Sequence, residues 1–102
     1  MTLEVLHIDD CPNWQDAGAR ASHALAALGR PDVIVEYRLV RTSADATLAG
    51  FAGSPTLTLD GEDIFPSGGR TADLACRIYL TPHGFAGVPT QDQVTEALAA
   101  KL

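Results

Sequence analysis

Leu3-Glu4-Val5-Leu6-His7-Ile8-Asp9-Asp10-Cys11-Pro12-Asn13 is the stretch from which the rest of the chain is read. Leu3 to Ile8 is almost wholly apolar and of strand length, as expected of a strand covered on both faces inside a sheet. Asp9 and Asp10 stop it, and the Cys11-Pro12 step opens an Ala-rich helical pattern that begins at Trp14. A thiol where a strand hands over to a helix faces free backbone N–H groups and the positive end of the helix dipole, and both favour thiolate. Asp9 and Asp10 act against it. A helix end is worth up to about 1–2 kcal/mol, and an exposed carboxylate nearby about the same or less, so the net effect on Cys11 is near zero. Asp10 reads first as a solvated turn or cap residue and only second as a proton donor to a leaving group. Strand alternation puts His7 on the face of Leu3 and Val5, as a histidine at the edge of the core.

Outward from this stretch, Pro12 to Leu28 reads as a helix. Pro12 suits the first helical position, and Trp14, Ala17, Ala21, Ala24, Leu25 and Leu28 form one apolar stripe. Gly29-Arg30-Pro31 ends it. Val33 to Val40 follows as a second strand with Val33, Val35, Tyr37 and Leu39 on one face, and short links make the two strands parallel. Thr42 or Ser43 caps a short helix with Ala44, Leu48 and Phe51 expected inward, and Gly50 or Gly53 ends it. Thr56 to Leu59 alternates as a strand, Asp60-Gly61 is a two-residue hairpin signal, and Glu62 to Phe65 returns antiparallel. From Leu74 to Leu80 the pattern fits strand and helix alike. Pro82, Gly84, Gly87 and Pro89 predict a loop beyond it. Thr90-Gln91-Asp92-Gln93 is a capping box for a last helix that buries Val94, Ala97 and Leu98.

Composition narrows the function. The chain has 102 residues, 46 % hydrophobic and 20 % charged, with a formal charge of −6, which predicts a single domain over residues 1–102. One lysine and six arginines offer no basic stripe, so neither nucleic acid nor a membrane is expected as a partner. No apolar run approaches the ~20 residues of a membrane span, and Met1-Thr2-Leu3-Glu4 does not open like a signal peptide, so a cytoplasmic location is expected. In a reducing compartment, Cys11 and Cys76 are more readily reactive or metal-binding thiols, or inert ones, than a structural staple. With no Cys-x-x-Cys and no Cys/His cluster, no structural metal and no cofactor is expected.

The order β-α-β-α-β-β-α, with a four-stranded mixed sheet, an irregular insertion before the last helix, Cys11-Pro12 at the first strand-helix junction and Ser54-Pro55 before the third strand, resembles the thioredoxin-like fold over essentially the whole chain. The resemblance implies a nucleophilic Cys11, a cis-proline at Pro55 lying against it, and a Ser54 whose backbone pairs with a bound thiol peptide. Cys11-Pro12-Asn13-Trp14 lacks the second cysteine of the dithiol motif. Direct Cys-x-x-Cys cycling is therefore excluded. Ser67-Gly68-Gly69 looks like the Gly-Gly loop with which glutaredoxins hold glutathione. Pro12 and Trp14 would line the same cleft, although Trp14 reads more simply as packing under the active loop. Cys76 to Thr90 is similar to the terminal segment of small bacterial thioredoxin-like proteins, some of which are labelled alkylmercury lyase.

Topology gives Cys76 a place near Cys11. If the third strand is antiparallel to the first and the fourth antiparallel to the third, the fourth ends at the end of the sheet that carries Cys11. A thiol about ten residues further on can come back over it, with Arg77 beside it to favour its thiolate. Three uses stay open: a reversible disulfide with Cys76 as the resolving cysteine, a two-sulfur site for a soft metal or organomercurial, or Cys11 acting alone. A disulfide needs Cα atoms within about 7 Å. The expected function is thiol-disulfide redox or thiol transfer on a thiol or disulfide substrate, protein or small molecule, by a monomer or homodimer. The alternatives are a non-enzymatic interaction module and soft-metal or organomercurial binding through the thiols.

Overall fold

Strand β1 (Thr2–His7) lies in the interior of a four-stranded mixed sheet of order β2-β1-β3-β4. In the computed structural model, which describes residues 1–66 and 74–102, β2 (Ile34–Leu39) runs parallel to β1, with Thr2 opposite Ile34 and His7 opposite Leu39. On its other side β3 (Thr56–Leu59) is antiparallel, pairing Leu3 with Leu59 and Leu6 with Thr56. β4 (Glu62–Asp63) closes a hairpin on β3, and its turn residues Asp60 and Gly61 have φ of 49° and 88°. Both values are positive, which is what makes Asp-Gly suitable for a two-residue hairpin turn.

Helix α1 (Trp14–Ala27) connects the parallel pair and buries Ala17, Ala21, Ala24 and Leu25, as its apolar stripe predicts. It begins later than expected. Pro12 lies in the preceding turn and Asn13 is the N-cap residue, its carbonyl accepting the first helical bond from Ala17 N–H. The fixed φ of proline serves that turn as well as it serves a first helical position.

The short helix α2 (Ser43–Ala49) is capped by Thr42, whose hydroxyl accepts from Asp45 N–H, and it ends at Gly50 with φ 72°. Ala46 and Phe51 are buried, whereas Ala44 and Leu48, expected inward, face solvent. Phe51 sits at 0 % exposure just past the helix, and seating that ring decides the rotation of so short an element.

The sheet has a core on each face. One side joins Leu3, Val5, Leu57 and Leu59 to α1 and to Val94 and Leu98 of α3 (Gln91–Lys101), which starts with the expected capping box of Thr90 and Gln93. The other side joins Leu6, Ile8, Val40, Ala46 and Phe51, and Cys11 belongs to it. Among the described residues no helix is long and apolar enough to cross a membrane.

Between β4 and α3 the described chain from Leu74 is extended, and β5 (Tyr79–Thr81) and β6 (Gly84–Ala86) form a second, two-stranded sheet. Of the two patterns left open between Leu74 and Leu80, the structure has no helix there and a strand only from Tyr79, with Cys76 in an isolated bridge to Ser54, and the loop expected after Pro82 contains a hairpin. Gly84, with φ 103°, allows the tight reversal, and Thr81 Oγ1 donates to the Gly84 carbonyl at 2.6 Å. Strands of three residues are too short to show a period of two.

Candidate functional site

Cys11 and Cys76 are joined by a disulfide across 65 residues of sequence, with Cα atoms 5.9 Å apart. Their surroundings differ. Cys11 has 0 % exposure and packs among Leu6, Ile8, Val40, Ala46 and Phe51. Cys76 is exposed. The sulfur expected to meet a substrate is thus the covered one, because the turn after β1 directs Cys11 into the core on the α2 side of the sheet.

The loop before β3 holds Cys76 in place. Ser54 N–H donates to the Ala75 carbonyl at 2.8 Å and the Ser54 carbonyl accepts from Arg77 N–H at 2.9 Å, a parallel bridge that brackets Cys76. The Ser54 hydroxyl accepts from Ile8 N–H at 3.1 Å, tying this loop to the end of β1. The backbone of Ser54, for which a bound thiol peptide was the expected partner, is occupied by the protein's own Cys76 segment. The Ser54–Pro55 peptide bond is cis, and Pro55 is fully buried.

Tyr79 donates its hydroxyl to the Pro55 carbonyl. Burial pushes the Tyr79 hydroxyl well above the usual tyrosine range, with Arg77 acting weakly against this and Asp63 for it. It therefore stays a donor at neutral pH. Tyr79 thereby ties β5 to the proline loop.

Arg77 does not flank the Cys76 sulfur as a free cation. At 7 % exposure it pairs with Asp63 at 2.8 Å, donates to the Phe65 carbonyl and lies 4.6 Å over the Tyr79 ring. Neighbouring residues of an extended chain face opposite sides, so Arg77 turns inward and Cys76 outward. Its role here is to anchor the segment to β4.

Gly53 is a site residue that sequence reasoning took only as a helix stop. Its φ is 106°, and a Cβ there would stand 2.7 Å from Arg77 Cβ and 2.9 Å from Arg77 Cα. Only glycine lets the two backbones approach this closely. The available signal was its place directly before Ser54-Pro55.

Trp14 is partly buried, stacked on His7 with ring centroids 4.3 Å apart and edge-on to Tyr37 at 5.4 Å. Pro12 is exposed beside Cys11, and Asn13 lies against Gly87, where a Cβ would run into Asn13 Nδ2. Gly68 and Gly69 lie outside the described residues. Among the described residues no group of three or more His, Cys, Asp or Glu side chains is placed to hold a metal ion.

Cys76 opens onto a groove lined by Phe65, Ile78, Leu80, Phe85 and Gln93. The arrangement offers one exposed cysteine bonded to one covered cysteine beside an apolar surface. A protein of this kind can exchange its disulfide with an incoming thiol. Compared with protein-family models, with curated proteins and with solved structures, the chain matches none.

Proposed function

We propose that this chain is a thioredoxin-like thiol-disulfide redox protein in which Cys11 and Cys76 form a reversible disulfide. The observation that carries the reading is the disulfide itself, which joins a covered cysteine to an exposed one at the mouth of a groove. Cys76 thereby supplies the partner that Cys11-Pro12-Asn13-Trp14 lacks. Supporting it are the strand-helix junction at Cys11, the position of Ser54-Pro55 before β3, and the bonds from the Ser54 backbone to the residues flanking Cys76. In a cytoplasm held reducing by its thiol pool, a disulfide is more consistent with turnover than with stapling.

The test is equilibration of the protein with mixtures of reduced and oxidised glutathione, followed by acid quenching and counting of alkylated thiols. A single reversible two-electron transition is expected, with the reduced protein still folded by circular dichroism. A cross-link across 65 residues contributes about 4 kcal/mol in the chain-entropy picture, so the reduced form is expected to be less stable by that order. Reduction that occurs only together with unfolding would mean a structural clamp and end the redox reading.

An interaction module without chemistry is the second reading, and the exposed side chains of Ile78, Leu80 and Phe85 favour it. It predicts that the doubly substituted Cys11→Ser, Cys76→Ser chain keeps all of its cellular function. The redox reading predicts complete loss.

A further inference from the structure

From Cys76 to Thr81 the chain alternates strictly: Cys76, Ile78 and Leu80 are exposed, while Arg77, Tyr79 and Thr81 are buried. The solvent face of this segment is apolar. Ile78 is 71 % exposed and Leu80 69 %, and Phe85, which pairs across the hairpin with Leu80, is 78 % exposed. A strand with one face on the core normally turns polar side chains to water. An apolar row with a sulfur in it marks a contact surface.

We propose that Cys76, and not Cys11, is the sulfur that exchanges with the substrate, and that the row around it favours a cysteine carried on a polypeptide with apolar neighbours. The inference rests on the redox reading above and adds to it the order of the sulfurs and the class of substrate. A thiolate attacks a disulfide from behind the sulfur that it bonds. Cys11 is fully buried among Leu6, Ile8, Val40, Ala46 and Phe51, whereas Cys76 is an exposed residue that lines the groove.

When the protein acts as oxidant, a substrate thiolate attacks Cys76 Sγ, a bond forms between the substrate sulfur and Cys76, and the Cys11–Cys76 bond breaks. The electron pair leaves on Cys11 Sγ, which takes up a proton or remains thiolate at the start of α1. A second substrate thiolate then attacks the substrate sulfur of the mixed disulfide and releases Cys76. The substrate dithiol loses two electrons and the protein gains them as two thiols. In the opposite direction the Cys76 thiolate attacks a substrate disulfide, and Cys11 then attacks Cys76 Sγ to release the reduced substrate.

The preference for a polypeptide follows from the same surface. A small anionic thiol such as glutathione gains nothing from Ile78, Leu80 and Phe85, and the chain carries a formal charge of −6. A cysteine flanked by leucine or valine covers these side chains as it reacts.

The experiment uses the oxidised, unsubstituted protein. It is mixed with a one-cysteine peptide of sequence type Ala-Leu-Cys-Val-Ala or with glutathione, quenched in acid, unfolded, alkylated and mapped by mass spectrometry. The expected product carries the peptide on Cys76 and the alkyl group on Cys11, and the peptide reacts at least ~10-fold faster than glutathione once thiol pKa is allowed for. Ile78→Ser together with Phe85→Ser should bring that ratio towards one. Substrate sulfur found on Cys11 overturns the order of the sulfurs while leaving the redox reading intact. Equal rates for the two thiols, with the adduct on Cys76, overturn the substrate class alone. A disulfide that exchanges with neither thiol in the folded protein overturns this inference and the redox reading together. As a second measurement, Cys11→Ser is expected to accumulate the Cys76 adduct of oxidised glutathione, and Cys76→Ser to react at least ~10-fold more slowly because its remaining thiol is covered.

Discussion

Gly53 and Arg77 approach so closely that a single carbon added to Gly53 would stand 2.7 Å from Arg77 Cβ and 2.9 Å from its Cα. The loop that leads into β3 therefore touches the segment carrying Cys76 along bare backbone, and the bonds from Ser54 to Ala75 and Arg77 depend on that contact.

Gly53→Ala introduces a side chain at φ 106° and forces the Cys76 segment outward. A destabilisation of about 2–3 kcal/mol is expected from the backbone conformation and the clash together. Because the same movement separates Cys76 from Cys11, the disulfide should also become easier to reduce with glutathione. Denaturant unfolding and the thiol-disulfide equilibrium are the two measurements, and an unchanged equilibrium would mean that this contact does not hold the sulfurs together.

Arg77 and Asp63 have side-chain exposures of 7 % and 16 % and meet at 2.8 Å. Removing either partner leaves the other charge in a site with little water, so Asp63→Asn or Arg77→Met alone should cost about 3 kcal/mol. The double variant should cost clearly less than the sum, by 1 kcal/mol or more, when all four proteins are unfolded in urea. Simple additivity would show that the two charges act independently.

Tyr79 gives a pH dependence of definite sign. Its hydroxyl titrates well above the usual range in the folded protein, whereas an unfolded tyrosine ionises near pH 10. Above that pH the unfolded chain has released a proton that the folded one still holds, so stability is full below about pH 10 and then falls by about 1.4 kcal/mol per pH unit. Tyr79→Phe should remove this alkaline decline and, at neutral pH, cost about 1 kcal/mol because the Pro55 carbonyl loses its donor. Urea unfolding between pH 8 and pH 11.5 distinguishes the two proteins. Parallel declines would rule Tyr79 out as the cause.

His7 Nδ1 is buried and has no hydrogen-bond partner among the described residues. His7→Phe keeps an aromatic ring against Trp14, 4.3 Å away in the native protein, and removes the unsatisfied nitrogen. An increase in stability of about 1 kcal/mol is expected by thermal unfolding. A loss of that size would show that the imidazole makes a bond that the ring stack conceals.

Local chemistry was enough for most of the elements. The apolar run at Leu3, the Ala-rich stripe from Ala17 to Leu25, Asp60-Gly61 and the capping box at Thr90 each state a period or a turn type within a few residues, and each appears as read. Where an element is short, local signals compete on equal terms. In α2 the seating of Phe51 overrode the expected facing of Ala44 and Leu48, and in the β5–β6 hairpin three-residue strands left no measurable period.

The chain order of the strands and the antiparallel returns placed Cys11 and Cys76 at one end of the sheet, because each reversal sends the next strand back to a known end. Which sulfur faces water was decided only by tertiary packing. Cys11 is covered by residues contributed from four separate stretches, Leu6 and Ile8, Val40, Ala46, and Phe51. Arg77 turns from its neighbour Cys76 to Asp63 because successive side chains alternate, and the Gly53 contact with the Ser54 backbone bonds brings that segment close enough for the pairing. Burial is a property of surfaces assembled from distant segments, and no local run of sequence contains it.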